Sequence, residues 1–437
     1  MANTYLSRTQ STGTSDKKGT FSAWIKASDS NFAIFSGHTD SNNRIALYLN
    51  ETLRVYGAIG GSQSVYFITN RVIRDYNAWY NIVVAWDTTQ GTEANRFKIY
   101  VNGVQETSFS TSAYPSQNSD IYWNKGTTSI VGARFISAVQ NQLNGSMSHV
   151  HFIDGTAYTA SAFGSTDSTT GEWKINTSPS VTYGNNGFFI LKDGNSVTDS
   201  STNSNNFTVG GGTLTKTEDN PSNVFCTVNA LDSFYQNTTL SEGNTKIAFN
   251  NGWAFNTGTL GFNSGKWYWE VRSNNWSAGN QSYGITSAVA DASDDEYYNN
   301  SGSGRGYGLY NNGTVYGNGI LGTGYTSSGY GYIGMIAVDA DTNQIWFGAN
   351  GSWETGSGPG STGISIVSAS TQDSGFWFPA FSGGINSAGN DFKINFGNGY
   401  FGTTAITSAG SNASGIGIFE YDVPTGYTAL STKGLNL

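Results

Sequence analysis

The sequence is poor in the residues that carry most protein chemistry and build most helices. Its 437 residues include one cysteine, three methionines, three histidines and six prolines, and charged residues make up only 12% of the chain. The single cysteine, Cys226, excludes an intramolecular disulfide and a cysteine-based metal cluster. We expect Cys226 to be a small buried apolar side chain. The scarcity of good helix formers disfavours a helical fold.

The charge balance and the absence of long apolar runs exclude further classes of function. The formal net charge is -9 and the pI is about 4.8, so we expect no nucleic-acid partner, because the surface repels phosphate backbones. No run approaches the roughly 18 apolar residues of a membrane-spanning helix. The N-terminus lacks the basic and apolar regions of a signal peptide. We therefore expect neither membrane insertion nor signal-directed secretion.

Glycine, threonine, serine, asparagine and aromatic residues dominate instead, and they favour strands and tight turns. Short runs alternate apolar and polar residues with the period of two that a half-buried strand requires. Clear examples are Thr20–Lys26, Arg44–Leu49, Trp79–Trp86 and Gly145–Ile153, and further strands are predicted at Gly265–Val271, Tyr332–Val338 and Asp391–Phe396. The pair Asn102 and Gly103 follows the run Arg96–Val101 and predicts a tight hairpin. The sequence predicts an all-β chain.

The strand-like runs fall into two blocks separated by a more polar stretch. Residues 1–165 and 233–437 form the blocks, and residues 166–232 are rich in Ser, Thr, Asn and Asp, with one apolar run at Gly187–Lys192. A structureless linker of that length is unusual inside a compact protein, so we expect part of it to pair with a neighbouring sheet. We predict two antiparallel β-sandwiches joined by a connector that contains short strands.

The first block contains, in this order, the segments Phe21–Trp24, Trp79–Ile82, Phe97–Gly103 and Leu143–Val150. Through these segments it resembles the laminin-G-like, concanavalin A-like family. The last block resembles SPRY domains through the segments Gly265–Glu270, Tyr283–Ile285, Ile333–Asp339, Ile345–Gly351 and Phe392–Gly397. Both resemblances imply concanavalin A-like sandwiches of the jelly-roll type, and both folds carry many functions.

The order of these segments resembles that of virion or fibre proteins from marine and cyanobacterial tailed phages. The segments Tyr183–Ile190, Glu218–Ser222 and Tyr421–Leu430 complete the set. The resemblance implies a structural protein on the virion surface, either a fibre or a capsid decoration, that is assembled in the host cytoplasm. It implies other virion proteins as partners and a homotrimer as the oligomeric state, although no coiled-coil heptads support a trimer.

The chain offers few catalytic or metal-binding patterns. His149 and His151 lie two apart in a predicted strand and point to one face, where they could form half of a metal site. We find no cysteine or acidic partner pattern beside them, and we interpret them, like His38, as structural residues. No Gly-x-Ser-x-Gly element stands between a strand and a helix, as a nucleophilic serine of the hydrolase type requires.

Carboxylate and calcium patterns are also incomplete. Glycosidases of the concanavalin type arrange their acids as Glu-x-Asp-x-x-Glu, and we do not find that spacing. We interpret the acidic run Asp291–Glu296 as a solvated loop, with a sugar or cation site as the alternative. Asp339–Asn343 begins like a calcium loop, but Gln344 and Asn350 occupy the positions that require Gly and Glu, so a hairpin is favoured. We predict no catalytic residue, no cofactor and no identifiable metal site, while structural calcium elsewhere stays open.

Aromatic residues in predicted loops are the candidates for recognition, because Trp and Tyr stack on sugars and anchor protein interfaces. The ligand-binding candidates of the SPRY-like block are Trp253, Trp276, Tyr297, Tyr298, Tyr325 and Tyr330. Ordinary packing explains this loop set as well as binding does. The tryptophans of predicted strands are interpreted as core residues: Trp24, Trp86, Trp267, Trp269 and Trp346.

The leading hypothesis is a non-catalytic virion surface protein whose loops bind a host-surface glycan or another virion protein. The main alternative is a SPRY-type protein-interaction module that grips a peptide. An enzyme that acts on bacterial polysaccharide is the third hypothesis.

Overall fold

The chain forms two β-rich units, which we describe from a computed structural model. The described residues are 4–27, 30–75, 78–192, 196–234, 238–250, 252–275, 280–287, 305–317, 319–326, 331–372, 374–384 and 389–436, with backbone alone at 232–234 and 436. Unit 1 comprises residues 1–216 and 220–222, and unit 2 comprises residues 217–219 and 223–437. Helical structure in the described ranges is limited to four short 3-10 turns at Glu93–Asn95, Ala160–Ala162, Ala369–Thr371 and Gly434–Asn436. The all-β prediction is confirmed.

Unit 1 contains eighteen of the strands that the structure describes. They are β1 (Tyr5–Thr9), β2 (Lys18–Ala27), β3 (Asn31–His38), β4 (Arg44–Asn50), β5 (Thr52–Ile59), β6 (Ser62–Val72), β7 (Tyr80–Asp87), β8 (Phe97–Val101), β9 (Val104–Gln105), β10 (Phe109–Ala113), β11 (Thr128–Val131), β12 (Arg134–Phe135), β13 (Val139–Gln140), β14 (Gly145–Asp154), β15 (Gly164–Thr166), β16 (Trp173–Ile175), β17 (Phe188–Ile190) and β18 (Thr208–Gly211). The predicted runs Thr20–Lys26, Arg44–Leu49 and Gly145–Ile153 correspond to β2, β4 and β14.

Two antiparallel sheets form the body of unit 1. One has eight strands in the order β10-β6-β5-β4-β3-β11-β1-β18, and the other has six in the order β17-β14-β2-β7-β8-β9. Side chains from both sheets meet in one apolar core, as expected of a sandwich. Phe35 stacks on Phe21 at 4.5 Å between ring centroids, which joins a strand of each sheet. The hairpin at Asn102 and Gly103 is present, with φ of 47° and 79°.

Much of the predicted connector is built into unit 1. Strand β17 pairs with β14, and β18 pairs with β1. The polar run between them folds around Asp199, whose carboxylate accepts hydrogen bonds from the amides of Phe189 (2.8 Å), Ser201 (2.8 Å) and Asn205 (2.8 Å). The expected pairing of the connector with a neighbouring sheet is therefore observed. The Ser and Asn residues of this run satisfy a buried carboxylate instead of forming a loose linker.

Unit 2 contains the remaining strands. They are β19 (Val228–Phe234), β20 (Thr238–Ser241), β21 (Lys246–Phe249), β22 (Ala254–Gly258), β23 (Lys266–Ser273), β24 (Ser282–Thr286), β25 (Gly306–Tyr310), β26 (Thr314–Gly317), β27 (Gly319–Thr323), β28 (Ile333–Asp339), β29 (Gln344–Ala349), β30 (Ser352–Trp353), β31 (Ile364–Ser365), β32 (Phe378–Gly383), β33 (Asp391–Asn395), β34 (Tyr400–Phe401), β35 (Thr404–Ala405) and β36 (Thr428–Ala429). Three of these strands, β25, β26 and β27, are together rich in Gly and Tyr.

Two sheets again enclose an apolar core in unit 2. The seven-stranded sheet has the order β19-β22-β32-β24-β25-β26-β27, and the nine-stranded sheet follows β20-β21-β33-β23-β28-β29-β30, with β31 beside β29 and β36 beside β23. The pair of β23 and β36 is parallel, while the pairs along both orders are antiparallel. The strand tryptophans that we assigned to the core are buried in both units, and so is Cys226.

Candidate functional site

The structure describes two of the six aromatic residues that the sequence suggested for recognition. The other four lie outside the described residues: Trp276, Tyr297, Tyr298 and Tyr330. Trp253 is 45% exposed just before β22, and Tyr325 follows β27 and packs partly against the core. Five strand-to-strand steps separate β22 from β27 in the seven-stranded sheet, which amounts to about 24 Å. These two residues therefore do not share one compact site.

The paired histidines lie on one face of β14, as the spacing predicted, but they pack as structural residues. A register shift between Ser148 and His151 places His149 at φ 48°. The rings of His151 and His149 lie 3.9 Å and 5.6 Å from that of Phe189, and Nδ1 of His151 lies 3.0 Å from the hydroxyl of Tyr183. Burial lowers the pKa of His151 well below its ordinary value, so this imidazole is neutral at physiological pH.

The segment that begins like a calcium loop forms a hairpin, as predicted. Asp339 Oδ1 accepts hydrogen bonds from the amides of Asp341 (3.1 Å) and Thr342 (3.0 Å), and its Oδ2 pairs with Lys266 Nζ at 3.2 Å. The carboxylate thus closes the turn between β28 and β29. No group of three or more His, Cys, Asp or Glu side chains suited to a metal ion occurs among the residues that the structure describes.

Among the described residues of unit 2, Glu270 carries the most deeply buried carboxyl group. It lies in β23 and accepts hydrogen bonds from Tyr268 Oη (3.0 Å), Asn395 Nδ2 (3.2 Å) and the amides of Glu420 (2.9 Å) and Tyr421 (2.8 Å). Burial raises the pKa of Glu270 to about 7, although the four donors favour the ionised form. This carboxyl group fixes the C-terminal segment against the sheet.

The outer face of the eight-stranded sheet of unit 1 carries an arrangement suited to a ligand. We call it the Tyr–Arg face and define it by Arg44, Tyr48, Tyr56, Arg134 and Phe135. Strands β4 and β5 alternate, so that apolar residues enter the core and these side chains point outward. The hairpin of β12 and β13 brings the last two residues over the sheet. Together they line a shallow recess of about 30 Å³ with Ala46 at its base.

Arginine groups lie over tyrosine rings on this face. The guanidinium carbon of Arg134 is 4.4 Å from the ring centroid of Tyr48, and that of Arg44 is 5.7 Å from the ring centroid of Tyr56. Arg134 Nε also donates a hydrogen bond to Asn141 Oδ1 at 3.1 Å. Stacking on an aromatic ring orients a guanidinium while leaving several of its N–H donors available. The face therefore combines apolar ring surfaces with directed positive charge.

The arginines of this face lack acidic partners. Across the described ranges, neither Arg44 nor Arg134 lies within ion-pair distance of a carboxylate, and the same holds for neighbouring Arg54 on β5. Asp40, which precedes β4, accepts hydrogen bonds from the side chain of Asn43 and from the backbone amides of Asn42 and Asn43, and these bonds lower its pKa. In a chain of net charge -9, uncompensated arginines on one sheet face mark a surface that attracts anions.

His38 extends the same surface. Its ring stacks on Phe135 with 3.9 Å between centroids and an interplanar angle of 7°. Burial lowers the pKa of His38, while the charge of Asp40 acts in the opposite direction. His38 therefore presents a largely neutral ring next to the arginines at physiological pH. His38 ends β3 and packs against the β12–β13 hairpin.

The sequence analysis did not identify the Tyr–Arg face. The spacing Arg44, Ala46, Tyr48 on one run and Arg54, Tyr56 on the next was visible as a period of two. That period puts these residues on one face of a sheet. The contribution of Arg134 was not visible, because it depends on a hairpin about ninety residues further along the chain that folds back over β4.

The fold defines an all-β protein of two sandwich units, the first of the concanavalin A-like class. Residues 2–160 match the family Laminin_G_3, which is described as the concanavalin A-like lectin/glucanases superfamily. None of the curated proteins matches the chain. The resemblance of the first block to laminin-G-like domains is thus supported over about a third of the chain.

The solved structures to which this chain is similar include SPRY domains and a pentraxin. The SPRY domain of human HERC1 is 17% identical, with 38% of this chain and 96% of that chain covered and a TM-score of 0.28. The TRIM65 PSpry domain is 14% identical, with 39% and 91% covered and a TM-score of 0.28. A heptameric SAP-like pentraxin from Limulus polyphemus is 19% identical, with 36% and 72% covered and a TM-score of 0.28. Likenesses this remote carry no inference about activity.

No helix in the described part of the chain is long and apolar enough to cross a membrane.

Proposed function

We propose that the chain is a non-catalytic binding protein whose unit 1 binds acidic glycans through the Tyr–Arg face. The observation that carries this proposal is the set of arginines stacked on tyrosine rings without carboxylate partners. Arginine binds carboxylate and sulfate groups with paired N–H donors. Tyrosine rings offer apolar faces on which sugar rings pack. An acidic saccharide satisfies both features, whereas a neutral glycan leaves the arginines without a counterion.

The side chains that line the recess supply positive charge and aromatic surface. Glycoside hydrolysis instead uses a pair of carboxyl groups that flank the scissile bond. The description of the matching family joins lectins with glucanases, and the chemistry of this face favours the lectin side of that description. We therefore propose binding without hydrolysis. Release of reducing sugar from a bound polysaccharide would overturn the non-catalytic part of the proposal.

Binding to sized acidic and neutral oligosaccharides by isothermal titration calorimetry tests the site. We expect Arg134→Gln to weaken acidic-glycan binding by about tenfold, because a hydrogen bond to a charged group contributes about 1.5 kcal/mol or more. Tyr48→Ala is expected to have a similar effect. The matched control is Lys98→Gln, which removes one positive charge from the other sheet of unit 1 and should bind normally. If Lys98→Gln weakened binding as much as Arg134→Gln does, the loss would be explained by the change in net charge and not by the Tyr–Arg face.

We further propose that this protein acts on the surface of a tailed-phage virion, as a fibre or a capsid decoration that attaches to a host-surface glycan. The ordered set of laminin-G-like, connector, SPRY-like and tail segments supports this placement, and other virion proteins and a homotrimer belong to the same proposal. Mass spectrometry and electron cryomicroscopy of purified particles test it. Absence of the protein from the particles would remove the virion placement, while glycan binding by the Tyr–Arg face would stand independently.

A further inference from the structure

A groove in unit 2 lies next to the polar centre around Glu270. We call it the Trp–Tyr groove; it is lined by Met335, Gly351, Trp353, Gly410, Glu420, Tyr421 and Asp422. Its volume of about 320 Å³ falls at the lower end of the range of roughly 300–1,000 Å³ that is typical of ligand pockets. It belongs to unit 2 alone, so it is independent of the glycan surface of unit 1.

The two walls of the groove are held in place by main-chain hydrogen bonds. One wall is the turn between β29 and β30, where Gly351 has φ 86° and a Cβ would lie 3.0 Å from the ring of Tyr421. The other wall is the segment 420–422. Its first two amides donate to the buried carboxylate of Glu270 at 2.9 Å and 2.8 Å. Glycine at position 351 therefore leaves room for the tyrosine ring, and the buried acid fixes the opposite wall.

A third segment braces the same wall from behind. Gly410 N donates to Phe419 O at 3.0 Å, Ser411 N donates to Asp422 Oδ1 at 2.6 Å, and Val423 N donates to Ser411 O at 2.8 Å. The groove is thus formed before any ligand arrives. A preformed site loses little conformational freedom on binding, which favours affinity.

The charge of the groove is negative. The carboxylate of Glu420 has no hydrogen-bond or ion-pair partner within the described residues. Asp422 accepts two hydrogen bonds from Ser411, through the amide and the hydroxyl, and both lower the pKa of Asp422 and keep it ionised. Burial raises the pKa of the Tyr421 hydroxyl, and the positive charge of Arg272 opposes that shift only in part. Arg272 forms no ion pair with a carboxylate of the described residues. A cation is therefore the complementary ligand.

Aromatic surface completes the site. Trp353 and Tyr421 are half-buried, and both pack against the core with one part while the rest borders the groove. Aromatic faces attract cations and also cover the apolar stem of a long cationic side chain. Met335 adds apolar floor at the base. The combination of two carboxylates, two aromatic rings and an apolar floor fits an alkyl chain that ends in a positive charge.

We propose that the Trp–Tyr groove binds the side chain of a lysine or arginine presented by a partner polypeptide. The cationic head lies between Glu420 and Asp422, and the aliphatic stem packs on Trp353 and Tyr421. An anionic ligand meets repulsion here, and a neutral sugar leaves both carboxylates without a counterion. The ligand class is thus opposite in charge to the one that unit 1 attracts.

A titration of the full chain with short peptides tests the proposal. The probe is acetyl-Gly-Gly-Lys-Gly-Gly-amide, and the reporter is the indole N–H NMR resonance of Trp353, assigned by its loss in Trp353→Phe. We expect a saturable shift of this resonance with the lysine peptide, and weaker binding at higher salt because exposed charges are screened. The peptide with norleucine in place of lysine keeps the stem without the charge and should not produce the shift.

Charge-neutralising variants locate the contact. We expect Glu420→Gln with Asp422→Asn to weaken the lysine peptide by about tenfold, from two partly exposed charge contacts of a few-fold each. The control Glu172→Gln removes an exposed acid from unit 1 and should bind like the unmodified chain. Equal binding of the norleucine peptide, or unchanged affinity in the double variant, would overturn the proposal. If the double variant does not fold, the comparison of the lysine and norleucine peptides on the unmodified chain still tests the proposal.

Discussion

The buried carboxyl group of Glu270 makes the stability of unit 2 depend on pH. Burial raises its pKa to about 7 from an ordinary value of 4.5, so the folded state holds the proton more tightly than the unfolded chain does. The contribution of this group to stability is complete below pH 4.5 and is lost as the pH rises to about 7. A difference of one in pKa corresponds to about 1.4 kcal/mol, so the loss is on the order of 3 kcal/mol.

Glu270→Gln isolates this effect. Glutamine is neutral at every pH, and its side-chain oxygen can still accept hydrogen bonds from the backbone amides of Glu420 and Tyr421. Its side-chain NH2 group, however, replaces an acceptor oxygen and faces at least one of the donors that surround Glu270. We expect the free energy of unfolding of the unmodified unit 2, relative to the variant, to fall by about 3 kcal/mol between pH 4.5 and 7.5. At the acidic end the two proteins are expected to differ by only about 1–3 kcal/mol, the usual consequence of an imperfectly paired buried donor.

The measurement has to report unit 2 by itself, because a chain of two units need not unfold in one step. Pulsed hydrogen exchange of peptides from β23 along a urea gradient gives the free energy of that unit at each pH. The variant Glu172→Gln, in an exposed segment of unit 1, serves as the matched control and should show no such difference. The prediction is refuted if the free energy of unfolding of the unmodified unit 2, relative to that of Glu270→Gln, stays constant or rises between pH 4.5 and 7.5. That result would mean that the four donors keep the carboxylate ionised.

Two further predictions concern backbone geometry in unit 1. Gly187→Ala is expected to lower the melting temperature strongly in calorimetry, because its Cβ would lie 1.9 Å from the carbonyl oxygen of Tyr183. The control Gly91→Ala places a Cβ with nothing within 4 Å and should leave the melting temperature nearly unchanged. Similar melting temperatures for the two variants would contradict this prediction. Asn102→Ala is expected to cost about 2 kcal/mol in urea unfolding, from a left-handed backbone at φ 47° and a lost 2.8 Å hydrogen bond from the Asn81 amide. A cost near zero would show that the hairpin relaxes.

The sequence predicted the strands and turns well because both depend on local patterns. Strand β4 was visible from its alternation, and the turn at Asn102 was visible from its Asn-Gly pair, which adopts the expected positive φ. The binding surfaces were harder to predict. Within the polar stretch at residues 166–232, the sequence did not single out Asp199, which is buried and accepts a hydrogen bond from an amide of β17.

The sites were missed because their parts come from distant positions. The Tyr–Arg face joins β4 and β5 with a hairpin near residue 134, and the Trp–Tyr groove joins Trp353 with residues 420–422. Glu270 carried a local signal, an acid within an apolar strand, but three of its four donors lie 125 to 151 positions away in sequence. The placement of Tyr297 and Tyr298 lies outside the described residues, so their assignment stays a prediction.

The pairing of β18 with β1 has a consequence for the order in which the chain folds during synthesis. β1 begins at Tyr5, yet one of its two neighbours ends at Gly211, so the eight-stranded sheet lacks an edge strand until about 200 further residues have left the ribosome. Until then, β1 presents unpaired backbone groups on that side, where strands of other chains can pair with it. Slow elongation or truncation before Gly211 is therefore the condition under which the nascent chain is most exposed to aggregation.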